Sequence, residues 1–273
     1  MVVNVLPAFA AAVIWAYASV SYREFVLRLG VLRLNALRMT YSAIALLVPT
    51  IILGINMGAI YGVLSGVLSL AIGDSLYLRS IRASGVSVAV PASYSYIIME
   101  QFMAIALGEP LKLSYLAAAG LMILGIYLLT MGGGSGNALG IAYALAAAAA
   151  WTLGYAAIRV AGVSGLGPIP IAFTRVASAL PLLVVASHID IGDAVKTTWR
   201  TVLPIVSALD LGLGSALFAY STIQAGLAPT VIAMGTVPLL SQLISRMLGR
   251  EKPRNREYAS AAVMLTAIAV SFM

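Results

Sequence analysis

The apolar positions of this chain fall into about ten blocks, separated by short breaks rich in glycine, proline or charge. The stretches 46–54, 62–72, 117–131, 141–150 and 263–273 carry no charged residue. A helix rising ~1.5 Å per residue needs ~20 apolar residues to cross the hydrocarbon core of a bilayer, and a soluble core rarely sustains even one such run. In lipid the backbone must satisfy its own hydrogen bonds, which leaves helices or a closed barrel. A barrel strand alternates polar and apolar positions, and these blocks are apolar all round. The pattern predicts an all-α integral membrane protein with ten transmembrane helices, at 4–22, 34–53, 58–79, 85–107, 112–131, 138–159, 168–187, 201–222, 226–248 and 256–273. The punctuation is Gly-Ile-Asn-Met-Gly at 54–58, Gly-Glu-Pro at 108–110, Gly-Leu-Gly-Pro at 165–168 and Lys-Pro at 252–253.

The glycine-rich stretch 132–137 is expected to tether two halves, 1–131 and 138–273, that resemble each other. Trp15 and Arg23 match Trp151 and Arg159, Arg38 matches Arg175, Ile81-x-Ala83 matches Ile223-x-Ala225, and Gly108-Glu109-Pro110 matches the passage from Gly249 to Pro253. The offset stays between 136 and 142 residues, which argues for an internal duplication. Five helices is an odd number, so the second copy must enter the membrane upside down. Two inverted five-helix repeats are a transporter architecture.

Charge then sets the orientation. The net charge of +7 would suggest nucleic acid in a soluble chain, but the cations here lie between apolar blocks rather than along one face, so no nucleic-acid partner is expected. Twelve of the sixteen Lys and Arg residues fall in the connections between helices 1–2, 3–4, 7–8 and 9–10, and only Lys112 and Arg159 in those on the opposite side. The positive-inside rule places these four connections in the cytoplasm and both termini outside. The first block has no preceding cation and no distinct cleavage site, so it reads as a spanning helix of the plasma membrane rather than a signal peptide. The absence of cysteine excludes disulfides and thiolate metal sites, and the single His188 cannot build a zinc centre. No metal or cofactor is expected.

A charged side chain at mid-membrane costs roughly 2.5–3.5 kcal/mol on insertion scales, so such residues face a bundle interior or a water-filled cavity. Arg38, Asp74, Glu100, Arg175 and Asp210 are the candidates. Asp74, with Tyr77 on its face, reads as a proton acceptor or a partner for a substrate cation, or else as a salt-bridge partner of Arg79 or Arg82. Glu100 continues a polar stripe from Ser93 and Tyr96, with Tyr94 and Gln101 forming a second, so helix 4 is expected to line a cavity. Asp210 heads a stripe on helix 8, and by the same offset its repeat-mate is Leu68. Arg38 sits near the cytoplasmic interface and can snorkel, whereas Arg175, toward the outside, needs an acidic partner or a substrate carboxylate. Trp15 and Trp151 are expected to wall the interior, and Gln242 on helix 9 completes the set. Pro91, Pro181 and Pro238 are read as kinks or packing devices, with helices 4 and 9 as moving elements. Gly62-Val-Leu-Ser-Gly66 predicts close packing within the bundle; a monomer is expected, and dimerisation is the alternative reading of that motif.

These motifs resemble the drug/metabolite transporter superfamily in its ten-helix EamA-type branch. Trp151-Thr-Leu-Gly-Tyr-Ala-Ala-Ile-Arg159 is similar to that family's Trp-Gly…Lys signature, Arg175-Val-Ala-Ser-Ala-Leu to its second-helix Arg motif, and the passage from Gly73-Asp74 to Ser87 to its helix 3 to helix 4 connection. Gly108-Glu109 is similar to the Gly-Glu that closes each half. Two features depart from the family: Ala16 stands where Gly usually follows the first Trp, and family members are often drawn with cytoplasmic termini. The resemblance implies secondary transport of a small organic solute, an amino acid or related metabolite, by alternating access and without enzymatic activity. Export, with a proton as a coupling partner, is the expected direction. The alternatives are a lipid-carrier flippase of the same fold and, remotely, an intramembrane aspartyl protease using Asp74 and Asp210.

Overall fold

A computed structural model describes residues 2–84, 86–110, 112–130, 137–248 and 255–273. The 132–136 tether, Gly85 and the 249–253 motif lie outside the described residues. All regular structure among the described residues is helical. Seven helices are long and apolar enough to cross a membrane: Val3–Ser21, Val31–Leu53, Ala59–Ser84, Ala138–Val163, Pro168–Ser187, Leu203–Ala225 and Leu227–Ile244. Tyr96–Ala106, Leu113–Leu128 and Tyr258–Ser271 are shorter apolar helices.

In chain order, α1 is Val2–Ser21, α2 Arg23–Leu29 and α3 Val31–Leu53. The third apolar block is α4 (Ala59–Ser65), a π-helical segment π1 (Gly66–Gly73) and α5 (Asp74–Ser84). The fourth is two helices, α6 (Val86–Ser93) and α7 (Tyr96–Ala106), followed by α8 (Leu113–Thr130). The second half comprises α9 (Ala138–Val163), α10 (Pro168–Ser187), α11 (Ile191–Thr198), α12 (Leu203–Ser207), π2 (Ala208–Gly214), α13 (Ser215–Ala225), α14 (Leu227–Met234), α15 (Val237–Met247) and α16 (Asn255–Ser271).

Two expectations about helix continuity are corrected. The fourth and ninth blocks are broken, the fourth at Tyr94–Ser95, beyond Pro91, and the ninth at Gly235–Thr236, in the turn before Pro238. Pro238 has no N–H for the Met234 carbonyl and its ring crowds that carbonyl, which accounts for the second break. Ser93 and Ser95 donate back to the carbonyls of Val90 (3.1 Å) and Ala92 (2.6 Å), and Thr236 to that of Ala233 (2.7 Å). These bonds compete with the backbone ladder and favour bending, although the Val90 carbonyl still accepts from Tyr94 N at 2.9 Å. Ser93 therefore belongs to α6, and the stripe it was to share with Tyr96 and Glu100 is divided between two helices.

Small residues let the helices approach closely, as membrane helices without a hydrophobic driving force require. The Gly62–Gly66 pair packs inside the bundle: a side chain at Gly62 would strike Thr174 of α10, and one at Gly66 the Arg175 backbone and Ser178. α1 packs on π2 and α13, and α9 on π1 and α5. At the periphery α16 packs on α8, where Ser260 donates to the Gly125 carbonyl at 2.7 Å. At one end α2 and α11 both pack against α3, with Tyr41 Oη 2.7 Å from Thr198 Oγ1.

Candidate functional site

The π-segments are where polar chemistry gathers. A π-turn widens the helix and leaves backbone groups in irregular positions, and such bulges recur at functional sites. Each is faced by a tryptophan from the opposite half. The Trp151 ring lies against Gly73 and the Trp15 ring against Gly214, at distances where an added Cβ would clash. Trp151 Nε1 donates to Asp74 Oδ1 at 3.0 Å, whereas Trp15 Nε1 donates to the Asp210 carbonyl at 3.1 Å.

Asp210 is almost fully buried and ion-paired. Arg38 donates to its Oδ2 through Nη2 (2.7 Å) and Nε (3.1 Å), Tyr22 Oη donates to the same oxygen at 2.9 Å, and Arg38 Nη1 bonds Asn35 Oδ1 at 2.5 Å. Arg38 is thus drawn inward, its side chain 17% exposed, and does not snorkel to the interface. Its guanidinium also lies 4.7 Å from the Tyr22 ring centroid.

Arg175 is 1% exposed and meets no carboxylate among the described residues. It donates to Ser215 Oγ through Nη1 and to Ser69 Oγ through Nη2 (3.1 Å), its Nε has no partner, and its Cζ lies 6.0 Å from the Tyr155 ring centroid. Asp74 makes no ion pair with Arg79 or Arg82; the structure gives it Trp151 instead.

Aromatic rings join these groups. Tyr77 stacks 5.2 Å from Trp151, Tyr96 lies 5.7 Å from Trp151 and 5.6 Å from Tyr155, and Tyr94 lies 5.5 Å from Tyr96. Tyr155 then meets Phe218 at 4.8 Å, and Phe218 meets Trp15 at 5.5 Å. Glu100 is 0% exposed on α7, one turn beyond Tyr96, and both its carboxyl oxygens lack a partner among the described residues. Gln242 stands apart on α15, its Oε1 buried without a partner.

The structure therefore brings Trp15, Arg38 and Asp210 together, and Asp74, Tyr77, Tyr94, Tyr96 and Trp151 together, with Arg175 beside the second group. The residues that sequence reasoning missed are Tyr22, Ser69, Tyr155, Ser215 and Phe218, whose roles come from partners in distant helices. It also left the Gly-Glu motif without a mechanism. Glu109 accepts from the N–H groups of Leu227 (2.7 Å) and Ala228 (3.3 Å) at the start of α14, and pairs with Arg159 Nε at 3.3 Å. Arg159 Nη1 in turn donates to the Thr222 and Ile223 carbonyls at the end of α13, at 3.1 and 2.7 Å. Acid at a helix N-terminus and base at a helix C-terminus both complement the macrodipole.

Helices of this composition, with buried charges gathered around two π-segments, define a multi-pass membrane protein with a polar interior. The chain belongs to the EamA-like transporter family, whose model matches residues 3–131 and again 138–273. It is 27% identical over 273 residues to an uncharacterized transporter of Archaeoglobus fulgidus, covering 97% of this chain and 96% of that protein. A solved crystal structure shares the fold with a TM-score of 0.78 at 19% identity, over 99% of this chain and 98% of the other. The protein is a membrane transporter of the plasma membrane.

Proposed function

We propose that the protein is a secondary transporter, an exporter of a small zwitterionic solute of the amino-acid class, working by alternating access between two inverted five-helix repeats. The observation that carries the solute class is the pair Asp74 and Arg175. Arg175 is buried and reaches Ser69, which lies five residues before Asp74 in the chain, yet no ion pair joins Arg175 to Asp74. One face of α9 serves both, since Trp151 holds Asp74 and, one turn on, Tyr155 lies under Arg175. A solute ammonium on Asp74 and a solute carboxylate on the spare Arg175 donors would satisfy both charges, through charge-assisted bonds.

Repeated contacts support the inverted-repeat reading. Gly73 against Trp151 is echoed by Gly214 against Trp15, Tyr77 against Trp151 by Phe218 against Trp15, and the Ser80 bond to the Gly140 carbonyl by the Ser221 bond to the Asn4 carbonyl. In each echo the π1–α5 and π2–α13 positions differ by 141 residues and the α9 and α1 positions by 136. On this register the repeat-mate of Asp210 is Ser69. Glu100, buried without a partner, is the proposed proton carrier.

Purified protein in liposomes, assayed for counterflow, tests the reading. Wild-type protein should exchange an α-amino acid and reject both its decarboxylated amine and its N-acetyl derivative. Arg175→Gln and Asp74→Asn should each lower exchange at least about tenfold, as expected when one charged partner of a buried contact is removed. Glu100→Gln should abolish uptake driven by a pH gradient while sparing counterflow. Equal exchange of the amine and the parent amino acid would overturn the zwitterion reading.

A further inference from the structure

Arg38 and Arg175 occupy matching places in the two halves, yet they grip differently. Each reaches the π-segment of the opposite half, Arg38 at Asp210 and Arg175 at Ser69. Arg175 has a second grip on Ser215, at the end of π2 in its own half. The residue 141 positions before Ser215 is Asp74. Arg38 makes no contact with Asp74: its remaining donor turns to Asn35, and Asp74 takes Trp151. The helices differ in the same way. α10 packs against α13 and π2, whereas α3 shows no comparable packing on α5 or π1 among the described elements.

In an inverted-repeat transporter, the halves exchange conformations between the two end states. A contact present in one half and missing from the other marks what moves. We propose, building on the inverted-repeat reading above, that Arg38 is the exchange partner of Asp74. In the opposite state Arg38 bridges Asp210 and Asp74, as Arg175 now bridges Ser69 and Ser215. Trp151 then leaves Asp74 for the Ser69 carbonyl, the mate of the Asp210 carbonyl that Trp15 now holds. Asp74 therefore has two mutually exclusive donors, one per state. The arrival of the Arg38 cation displaces a solute ammonium from Asp74, which makes Arg38 a positioning residue for release.

The cysteine-free chain allows a state-specific test. Val176 and Ala216 share an apolar cluster in this conformation, and their repeat-mates are Met39 and Ser75. Cysteines at Val176 and Ala216 should cross-link in the state described here, and cysteines at Met39 and Ser75 in the opposite one. Asp74→Asn leaves the Arg38–Asp210 pair intact but removes the acid to which Arg38 moves. It should lower the Met39/Ser75 yield at least about fivefold and raise the Val176/Ala216 yield, within the range of ordinary coupling between states. Arg38→Lys should retain the Met39/Ser75 cross-link, whereas Arg38→Gln should lose it. If Met39 and Ser75 never cross-link while Val176 and Ala216 do, the inverted exchange itself is wrong. If they cross-link but ignore Asp74→Asn and Arg38→Gln, the Arg38–Asp74 exchange is overturned while alternating access stands.

Discussion

Asp210 gathers three donor groups on a single oxygen, Tyr22 Oη and two nitrogens of Arg38, with side-chain exposures of 17% for Arg38 and 5% for Asp210. Burying such a pair costs desolvation that largely offsets its mutual attraction, so the pair as a whole contributes little net stability. Removing one member is a different matter, because the other is left charged and uncompensated. Arg38→Gln should therefore destabilise the protein by about 3–5 kcal/mol, seen as a lowered Tm in detergent micelles. Arg38→Gln combined with Asp210→Asn should recover much of that loss, and additive effects of the two substitutions would disprove the coupling. The charged members of this site were legible in the sequence, because a charge at membrane depth is expensive and needs a reason. Their partners were not. Ser69, Ser215, Tyr155 and Phe218 carry no charge to single them out, and only the packing of helices distant in sequence gives them donors and rings to meet. Asp74 shows the same limit: the sequence offered Arg79 and Arg82, its neighbours along α5, and the fold supplied Trp151 from α9.

Among the elements, glycine and proline positions both left a legible mark. The Gly62–Gly66 motif predicted close packing because two small residues one turn apart flatten a helix face. Pro91 and Pro238 read as kinks or packing devices; the ninth block does break in the turn before Pro238, whereas the fourth breaks beyond Pro91, beside Ser93 and Ser95. The π-segments left no mark in the hydrophobic pattern. Gly66→Val should force the start of π1 away from α10, because its side chain would enter space held by the Arg175 backbone and Ser178. Overpacking of this kind costs roughly 1–3 kcal/mol, whereas Gly120→Ala, with open space around it, should be neutral or stabilising. Thermal unfolding of the two variants side by side checks the contrast. Gly226, at φ +99°, lies against Glu109, so an added Cβ there meets both backbone strain and the carboxylate. Glu109→Gln, which keeps the shape but removes the charge at the α14 N-terminus and opposite Arg159, should destabilise by about 1–2 kcal/mol. An unchanged Tm for Glu109→Gln would show that charge contributes nothing to this junction.

The whole molecule has a direction across the membrane, and the distribution of cations is what predicts it. α9 runs from Ala138 to Val163 as one uninterrupted helix of 26 residues, which at 1.5 Å per residue is about 39 Å and exceeds the hydrocarbon thickness. Its two ends therefore face opposite sides. α2 and α11 flank the start of α3 at one end of the bundle, with Leu27 81% and Trp199 65% exposed, and their neighbourhood holds Arg28, Arg33, Lys196 and Arg200. Counted over short connections, that excess of Arg and Lys predicts that this end faces the cytoplasm. Single cysteines at Leu27 and Trp199 should accordingly be shielded from an impermeant thiol reagent applied to intact cells, and both should react once the membrane is opened. A cysteine at Ser164, beyond the far end of α9, should be labelled without permeabilisation. The native chain contributes no thiol of its own, so any signal belongs to the introduced residue. The reverse pattern, Ser164 shielded and Leu27 with Trp199 reactive, would place both termini in the cytoplasm and show that the loop cations are retained for another purpose, such as holding anionic headgroups or the solute itself.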